Sequence, residues 1–408
     1  MTLIISLLTV MFLIKFVVDT LNYKHSIQGV PKNVEHIYDQ QAYQKWLAYY
    51  RKQRKFSLVT QTFDFVLLMV LLLSHSFGFL ESLIGNWTSD VYIQTLVFLG
   101  IYYIVSVIID LPFSYYHTFV IEENFGFNQT TKKTFFIDQI KQILLVVILF
   151  GALLFGIQAL YVNFGQDIWV FVLTAWVSLS VVMVIIFMLN TKVFVKIFNK
   201  LTPLEDGPLK NKIDQLASGL GFEIENISVM DASRRSTKLN AFFSGFGKRR
   251  DIVLYDTLVE KMEDEQILAV LGHELSHALH KDTIKMLFQQ IFMFLIFASF
   301  IGLILSSESL YTDFGLSGIH FGFALVLFSV VVEPISMILG VFTNYKSRVA
   351  EYRADRFGAK QVSKNAMISA LEVLAKENFS NLNPHPLFET LYYNHPSISK
   401  RISSINAS

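Results

Sequence analysis

The stretch IWVFVLTAWVSLSVVMVIIFML, Ile168–Leu189, decides the fold. It runs for 22 residues without one charged side chain. Roughly 20 mainly apolar residues suffice to cross the hydrocarbon core as a helix. Six further blocks read the same way, at about 3–22, 63–83, 91–112, 137–162, 286–305 and 321–343. Lysine and arginine are absent from 56–131, 142–191 and 286–345. A soluble chain has no reason to leave such gaps, whereas charge inside a bilayer is rare. The chain is therefore expected to be an all-α, multi-pass membrane protein with seven transmembrane helices.

The same basic residues set an orientation, because they collect on the cytoplasmic side. A dense cluster lies between Lys24 and Lys55, and Lys132, Lys133 and Lys141 separate the third and fourth spans. Most of the rest fall in 192–285 and 346–401, and the loops near 86–90, 163–167 and 306–317 carry none. An outside N-terminus and an inside C-terminus fit. The first block lacks a basic leader and a small-residue cleavage site, so it reads as an anchor. Four regions follow: five spans in 1–195, a cytoplasmic segment 196–285, two spans in 286–345, and a helical tail 346–408.

Composition narrows the chemistry. The mean hydropathy is +0.46 and 53% of the 408 residues are hydrophobic. A net charge of +1 gives no ground for a nucleic-acid partner. With no cysteine, disulfides, thiolate metal sites and a cysteine nucleophile are excluded, and a metal must be held by His, Asp or Glu.

His273-Glu274-Leu275-Ser276-His277 supplies such a set. Four-residue spacing on a helix stacks both imidazoles on one face, where they can share a zinc ion. Glu274 is rotated by roughly 100° and can act as general base on the attacking water. Glu263, Asp264 and Glu265 suit the start of that helix, and Ile267, Leu268 and Leu271 give it an apolar stripe. Chance yields this pattern about once in a hundred such chains, so context must carry the rest.

A catalytic zinc needs a third protein ligand. Glu351, in the run SRVAEYRAD from Ser347 to Asp355, is the choice. The helix of His273 leads into the sixth span, and the seventh returns to the same face. If 277–286 is one continuous helix, the metal lies about 14 Å from the start of that span. Asp355, one turn after Glu351, is placed to orient a zinc histidine. His280 lies on the far side of the pair from His273, where one metal would struggle to reach all three, so it is read as a surface residue or outer neighbour. Asn240-Ala241-Phe-Phe, a turn at Gly245–Gly247, and Asp251 to Tyr255 resemble a β-hairpin whose edge could pair with an extended peptide. His395-Pro396 reads as a turn before a helix.

Taken together, these stretches resemble the type I CAAX prenyl proteases, integral-membrane zinc metalloproteases. The resemblance is carried by LPFSYYHTFVIEENFGFN (111–128), TPL (202–204), STKLNAF (236–242), IVLYDTL (252–258), the His273 motif, EYRAD (351–355) and HPSISKR (395–401). It implies seven helices around an intramembrane chamber and a cytoplasmic gluzincin-like zinc protease domain. It implies one zinc on His273, His277 and Glu351, catalysis by Glu274, and Asp355 behind the ligands. It also implies that Asn240 and Ala241 hold substrate backbone, with His395 and Arg401 at the site and His395 polarising the substrate carbonyl. The partners implied are the bilayer and a peptide or protein substrate, possibly lipidated.

The run from Ser276 to Asp282 leans toward the smaller heat-shock-type membrane metalloproteases, which makes quality control of membrane proteins the alternative role. A bacterial cytoplasmic membrane is favoured, and the endoplasmic reticulum if the chain is eukaryotic. A non-hydrolytic metal transporter or receptor is the alternative of a different class. It would need no carboxylate beside a histidine ligand.

Overall fold

The computed structural model describes residues 1–244 and 249–408. Among them are seven helices long and apolar enough to cross a bilayer: Thr2–Ser26, Gln40–Leu73, Val91–Phe125, Lys132–Phe164, Ile168–Leu189, Asp282–Leu305 and Phe321–Gln361. The first amides of a helix have no partner inside it, and hydrocarbon offers no water to replace one. Side chains fill that need at five of the starts, with His320 Nδ1 accepting from the Phe323 amide at the seventh. Asp39, Asp90, Thr131 and Asp167 each accept hydrogen bonds from backbone N–H groups of the turn that follows. Phe98, Phe171, Phe314 and Phe323 pack the shared core at one end of the bundle.

The second span departs from the hydropathy expectation of 63–83. Its helix starts at Gln40 and stops at Leu73, and Ser76–Gly85 forms a separate short helix. His75 stands between them in the left-handed region, with φ of 56°. No proline or glycine marks that break, so an apolar count runs through it. The short helix is held by a close backbone approach: a Cβ on Gly78 would fall 2.1 Å from the Gly315 carbonyl oxygen.

Beyond Pro112 the third span passes into a π-helical turn, His117–Glu122. Glu122 is nearly buried there and accepts from Tyr49 Oη at 2.6 Å and Gln53 Nε2 at 2.9 Å, with Lys238 Nζ 3.3 Å away. This cluster ties the 111–128 segment to the second span and to the chain just before Asn240.

The expected hairpin is part of a larger sheet. Strands β1 (Leu201–Pro203), β2 (Glu223–Met230), β3 (Ala241–Ser244) and β4 (Arg249–Tyr255) lie in the order β1-β2-β4-β3. β2 and β4 run parallel, and β3 pairs antiparallel with β4 from Ala241↔Leu254 to Ser244↔Asp251. The turn assigned to Gly245–Gly247 falls outside the described residues. β3 is the sheet's edge. Ile227, Ile252 and Leu254 pack against Ile267, Leu268 and Leu271 of the helix Asp264–Leu279, here called the motif helix.

That helix begins where its acidic run suggested, with the Glu263 amide donating to Gln266 Oε1 at 3.0 Å. Its other face crosses the far end of the seventh-span helix with almost no side chain between the backbones. A Cβ on Gly358 would stand 2.7 Å from the Ala269 carbonyl oxygen and 3.0 Å from the His273 nitrogen. One on Gly272 would stand 3.2 Å from Gly358 Cα. The continuous helix expected over 277–286 does not form. The motif helix ends at Leu279, Lys281 adopts φ of 56°, and a new helix starts at Asp282.

Gly358→Leu is therefore expected to force the two helices apart, at about 1–3 kcal/mol or more for overpacking. Gly151→Leu, at a position with open space around it, should change little. Thermal unfolding of both variants in detergent checks this, and equal midpoints would contradict it.

Candidate active site

One helical turn separates His273 and His277, and their Nε2 atoms point to a common centre 3.2 Å apart. The glycine crossing brings Glu351 to the same centre from the seventh-span helix. Glu351 Oε2 lies 3.4 Å from His273 Nε2, and Oε1 lies 3.3 Å from His277 Nε2. Four ligands at about 2.0–2.1 Å around a tetrahedral zinc stand about 3.3–3.4 Å from one another. The three observed separations are of that size, with the two oxygens of Glu351 each facing one imidazole. Glu351 is 4% exposed, and its Oε2 has no hydrogen-bond partner. A buried carboxylate whose two oxygens each face an imidazole nitrogen fits a cation. Electrostatics agree. Burial opposes charge on His273, yet Asp355 and Glu351 outweigh it and hold the imidazole up at about 9. The pocket favours positive charge.

The outer nitrogens are also held. His273 Nδ1 is 2.8 Å from Asp355 Oδ1, and Asp355 is fully buried. Arg401, from the C-terminal helix Ile398–Asn406, grips Asp355 with both arms: Nε to Oδ2 at 2.8 Å and Nη2 to Oδ1 at 2.5 Å. Burial works against the guanidinium charge, but Asp355 outweighs it and raises the Arg401 pKa above its ordinary value. The same Nη2 lies 3.6 Å from Glu351 Oε2. His277 Nδ1 meets Asp282 Oδ2 at 3.0 Å, a contact that the sequence reading did not single out.

Glu274 is half-buried beside the two histidines. Burial pushes its carboxyl above the usual range, the direction a general base at neutral pH needs. His395 reaches the cluster, with Nε2 3.3 Å from Glu351 Oε1, and its side chain remains 54% exposed. Ala241 is buried at the start of β3, and Asn240 is exposed, with Oδ1 accepting from the Ala241 amide at 2.9 Å. The residue before it is clamped from outside: Leu239 N donates to Asn378 Oδ1 at 2.8 Å, and Asn378 Nδ2 donates to Leu239 O at 3.1 Å. His280 points elsewhere, its Nδ1 donating to the Ser276 carbonyl at 2.8 Å. It lies outside the His273, His277 and Glu351 group whose ligand atoms all fall within 4.8 Å of one another.

The sequence reading named His273, His277 and Glu351 as one set, and the structure brings them together. It missed the glycine crossing, Asn378, and the pairing of Asp282 with Arg353. Asp282 was visible only as an acid five residues after a histidine, and no spacing in the sequence links it to Arg353.

Comparison with known proteins agrees with this geometry. Residues 19–200 match the family described as CAAX prenyl protease N-terminal, five membrane helices, and residues 203–408 match peptidase family M48. The CAAX prenyl protease 1 of Saccharomyces cerevisiae is 35% identical over 333 residues, covering 77% of this chain and 72% of that protein. The CAAX prenyl protease 1 homolog of Arabidopsis thaliana is 35% identical, covering 88% of this chain and 87% of that one. The crystal structure of Ste24p from S. mikatae superposes with a TM-score of 0.92 at 29% identity, covering 99% of this chain and 98% of that chain.

Asp355→Ala should leave Arg401 as an unpaired buried charge and cost about 3–5 kcal/mol. Chemical unfolding in detergent checks this, and the Arg401→Met, Asp355→Leu double variant should recover part of the loss. A wild-type midpoint for the single variant would contradict the buried pair.

Proposed function

The chain belongs to peptidase family M48 and is a multi-pass membrane metalloprotease, and from this we propose that it is a zinc endopeptidase cutting prenylated CAAX-type substrates. The observation that carries the metal assignment is the convergence of His273, His277 and Glu351, whose ligand atoms all lie within 4.8 Å of one another. These three side chains would hold the ion, and all three lie on helices rather than loops. When bound, zinc supplies a Lewis acid that brings the pKa of water down toward 7.

The chain's own residues do the rest. Glu274 takes the proton of the attacking water and returns it to the leaving amine. His395 is assigned to the developing oxyanion, where a donor aimed at new negative charge favours the transition state. Its partial exposure beside Glu351 supports that role. β3 is an open edge next to the motif helix, suited to an extended peptide pairing through backbone hydrogen bonds. Asn240 and Ala241 open that edge. Arg401 was expected to bind substrate, but its guanidinium is engaged by Asp355, so we assign it to holding Asp355, and Asp355 to holding His273.

Substrate class rests on the relatives. Those named above are called CAAX prenyl proteases, and the match extends through the five-helix N-terminal part. That part would enclose a membrane chamber. The spans support this reading, since at most 22% of any span's apolar window is buried within the protein. Each methylene of a prenyl chain taken from water into such a space contributes about 0.8 kcal/mol. Membership of a peptidase family sets aside the non-hydrolytic alternative. The lysine and arginine distribution supports a catalytic end on the cytoplasmic side, in the cytoplasmic membrane of a bacterium or the endoplasmic reticulum of a eukaryote.

Cleavage of matched peptides with and without a farnesyl group tests the activity and the substrate together. The farnesylated peptide should be cut with the higher kcat/KM. Glu274→Gln should keep its zinc and lose about 10²–10⁴ in kcat. Equal rates for the two peptides would leave a general membrane peptidase, and wild-type turnover by Glu274→Gln would remove the mechanism. For orientation, reporters fused after Asn163 and at Ser408 should read outside and inside, and the reverse pattern would overturn the charge argument.

A further inference from the structure

His273 and His277 are held from behind in the same way. His273 Nδ1 faces Asp355, which is gripped by Arg401. His277 Nδ1 faces Asp282 at 3.0 Å, and Asp282 Oδ2 is ion-paired with Arg353 while Lys285 Nζ stands 3.5 Å from Oδ1. In each case an acid accepts from Nδ1, which leaves the lone pair of Nε2 facing the shared centre. Carboxylates behind metal histidines act in this way, fixing tautomer and ring orientation.

Local backbone makes the second arrangement possible. In a continuous helix residue 282 would lie about 7.5 Å along the axis from residue 277 and roughly 140° around it. The chain breaks instead. Lys281 in the left-handed region, with φ of 56°, turns the start of the sixth span back beneath His277. The Asp282 side chain is 11% exposed, while Arg353 and Lys285 keep 32% and 66% of theirs in contact with solvent. Arg353 lies two residues beyond Glu351. Asp282 therefore touches one ligand-bearing helix directly and the other through an ion pair.

We propose that Asp282 is a positioning residue for the metal centre, setting the tautomer and angle of His277, and that Arg353 holds Asp282 for this task. The proposal rests on His277 being a metal ligand. Asp282 touches neither substrate nor metal, so its removal acts through His277. A second consequence is that the sixth span reports to the site. Any displacement of its first turn moves the acid behind one ligand.

The test uses the full-length protein in detergent and measures zinc affinity by competition with a chromogenic chelator. Asp282→Ala should bind zinc about 10–100-fold more weakly. Arg353→Gln should move in the same direction by less, and the double variant should be no worse than Asp282→Ala alone. Cobalt substitution gives a readout that a merely structural role would not move. The visible bands should change in Asp282→Ala and return toward wild type in Asp282→Glu. If Asp282→Ala fails to fold, Asp282→Asn keeps the shape and an acceptor without the charge, and an intermediate loss is expected. His277→Ala separates the two readings. Loss of zinc in His277→Ala with wild-type affinity and spectrum in the Asp282 variants overturns the proposal alone. Wild-type zinc affinity in His277→Ala would instead overturn the metal assignment on which it rests.

Discussion

Gly272 and Gly358 meet where the motif helix crosses the seventh-span helix, and the site depends on that contact. With no side chain between them, the backbones approach until a Cβ at Gly358 would sit 3.0 Å from the His273 amide nitrogen. Asp355 and Glu351 are then about one and two turns back along the same helix, level with the imidazoles. Glu351 meets both Nε2 atoms, and Asp355 meets the outer nitrogen of His273. A larger residue at the crossing would shift both acids together. The ligand triangle thus follows from helix packing and not from a flexible loop, which suits a site whose ligands must be held rigidly.

Around this crossing the charges are placed in pairs. Asp355 with Arg401 and Asp282 with Arg353 bind helices that are distant in sequence, 46 and 71 residues apart. Buried ion pairs of this kind add little net stability over apolar packing, but removing one partner is costly. Their value here is geometric, since each fixes an acid that faces a histidine. Glu351 differs: its buried Oε2 makes no hydrogen bond, though His273 Nε2 and Arg401 Nη2 stand 3.4 and 3.6 Å away. We assign that carboxylate and the two imidazole nitrogens to the metal, and propose the neighbouring Glu274, whose carboxyl burial raises, as the base.

Much of the fold was legible because the bilayer imposes a simple rule. Long apolar runs gave all seven spans, five of them wholly inside stretches without lysine or arginine, and the return of the seventh placed Glu351 near His273. Hydropathy misplaced the second span because the left-handed residue at His75 carries no composition signal. The hairpin was read from β3 and β4 alone, since β2 pairs with β4 by non-local contacts such as Ile227↔Ile252, and β1 in turn pairs with β2. At the site, residue type and spacing picked out the His, His and Glu set. They could not show which acid faces which imidazole. Asp355 was reachable by helical spacing from Glu351. Asp282 was not, because its approach depends on a backbone reversal at Lys281. The glycine crossing was equally hidden, since a glycine in a helix signals close packing only when its partner is known.

The most direct test of the account is zinc-edge X-ray absorption on the purified full-length protein. The account predicts one zinc per chain, with two imidazole nitrogens and light oxygen donors at about 2.0–2.1 Å and no sulfur. A six-oxygen shell lacking the imidazole signature, or protein carrying no zinc after growth and purification in its presence, would contradict it.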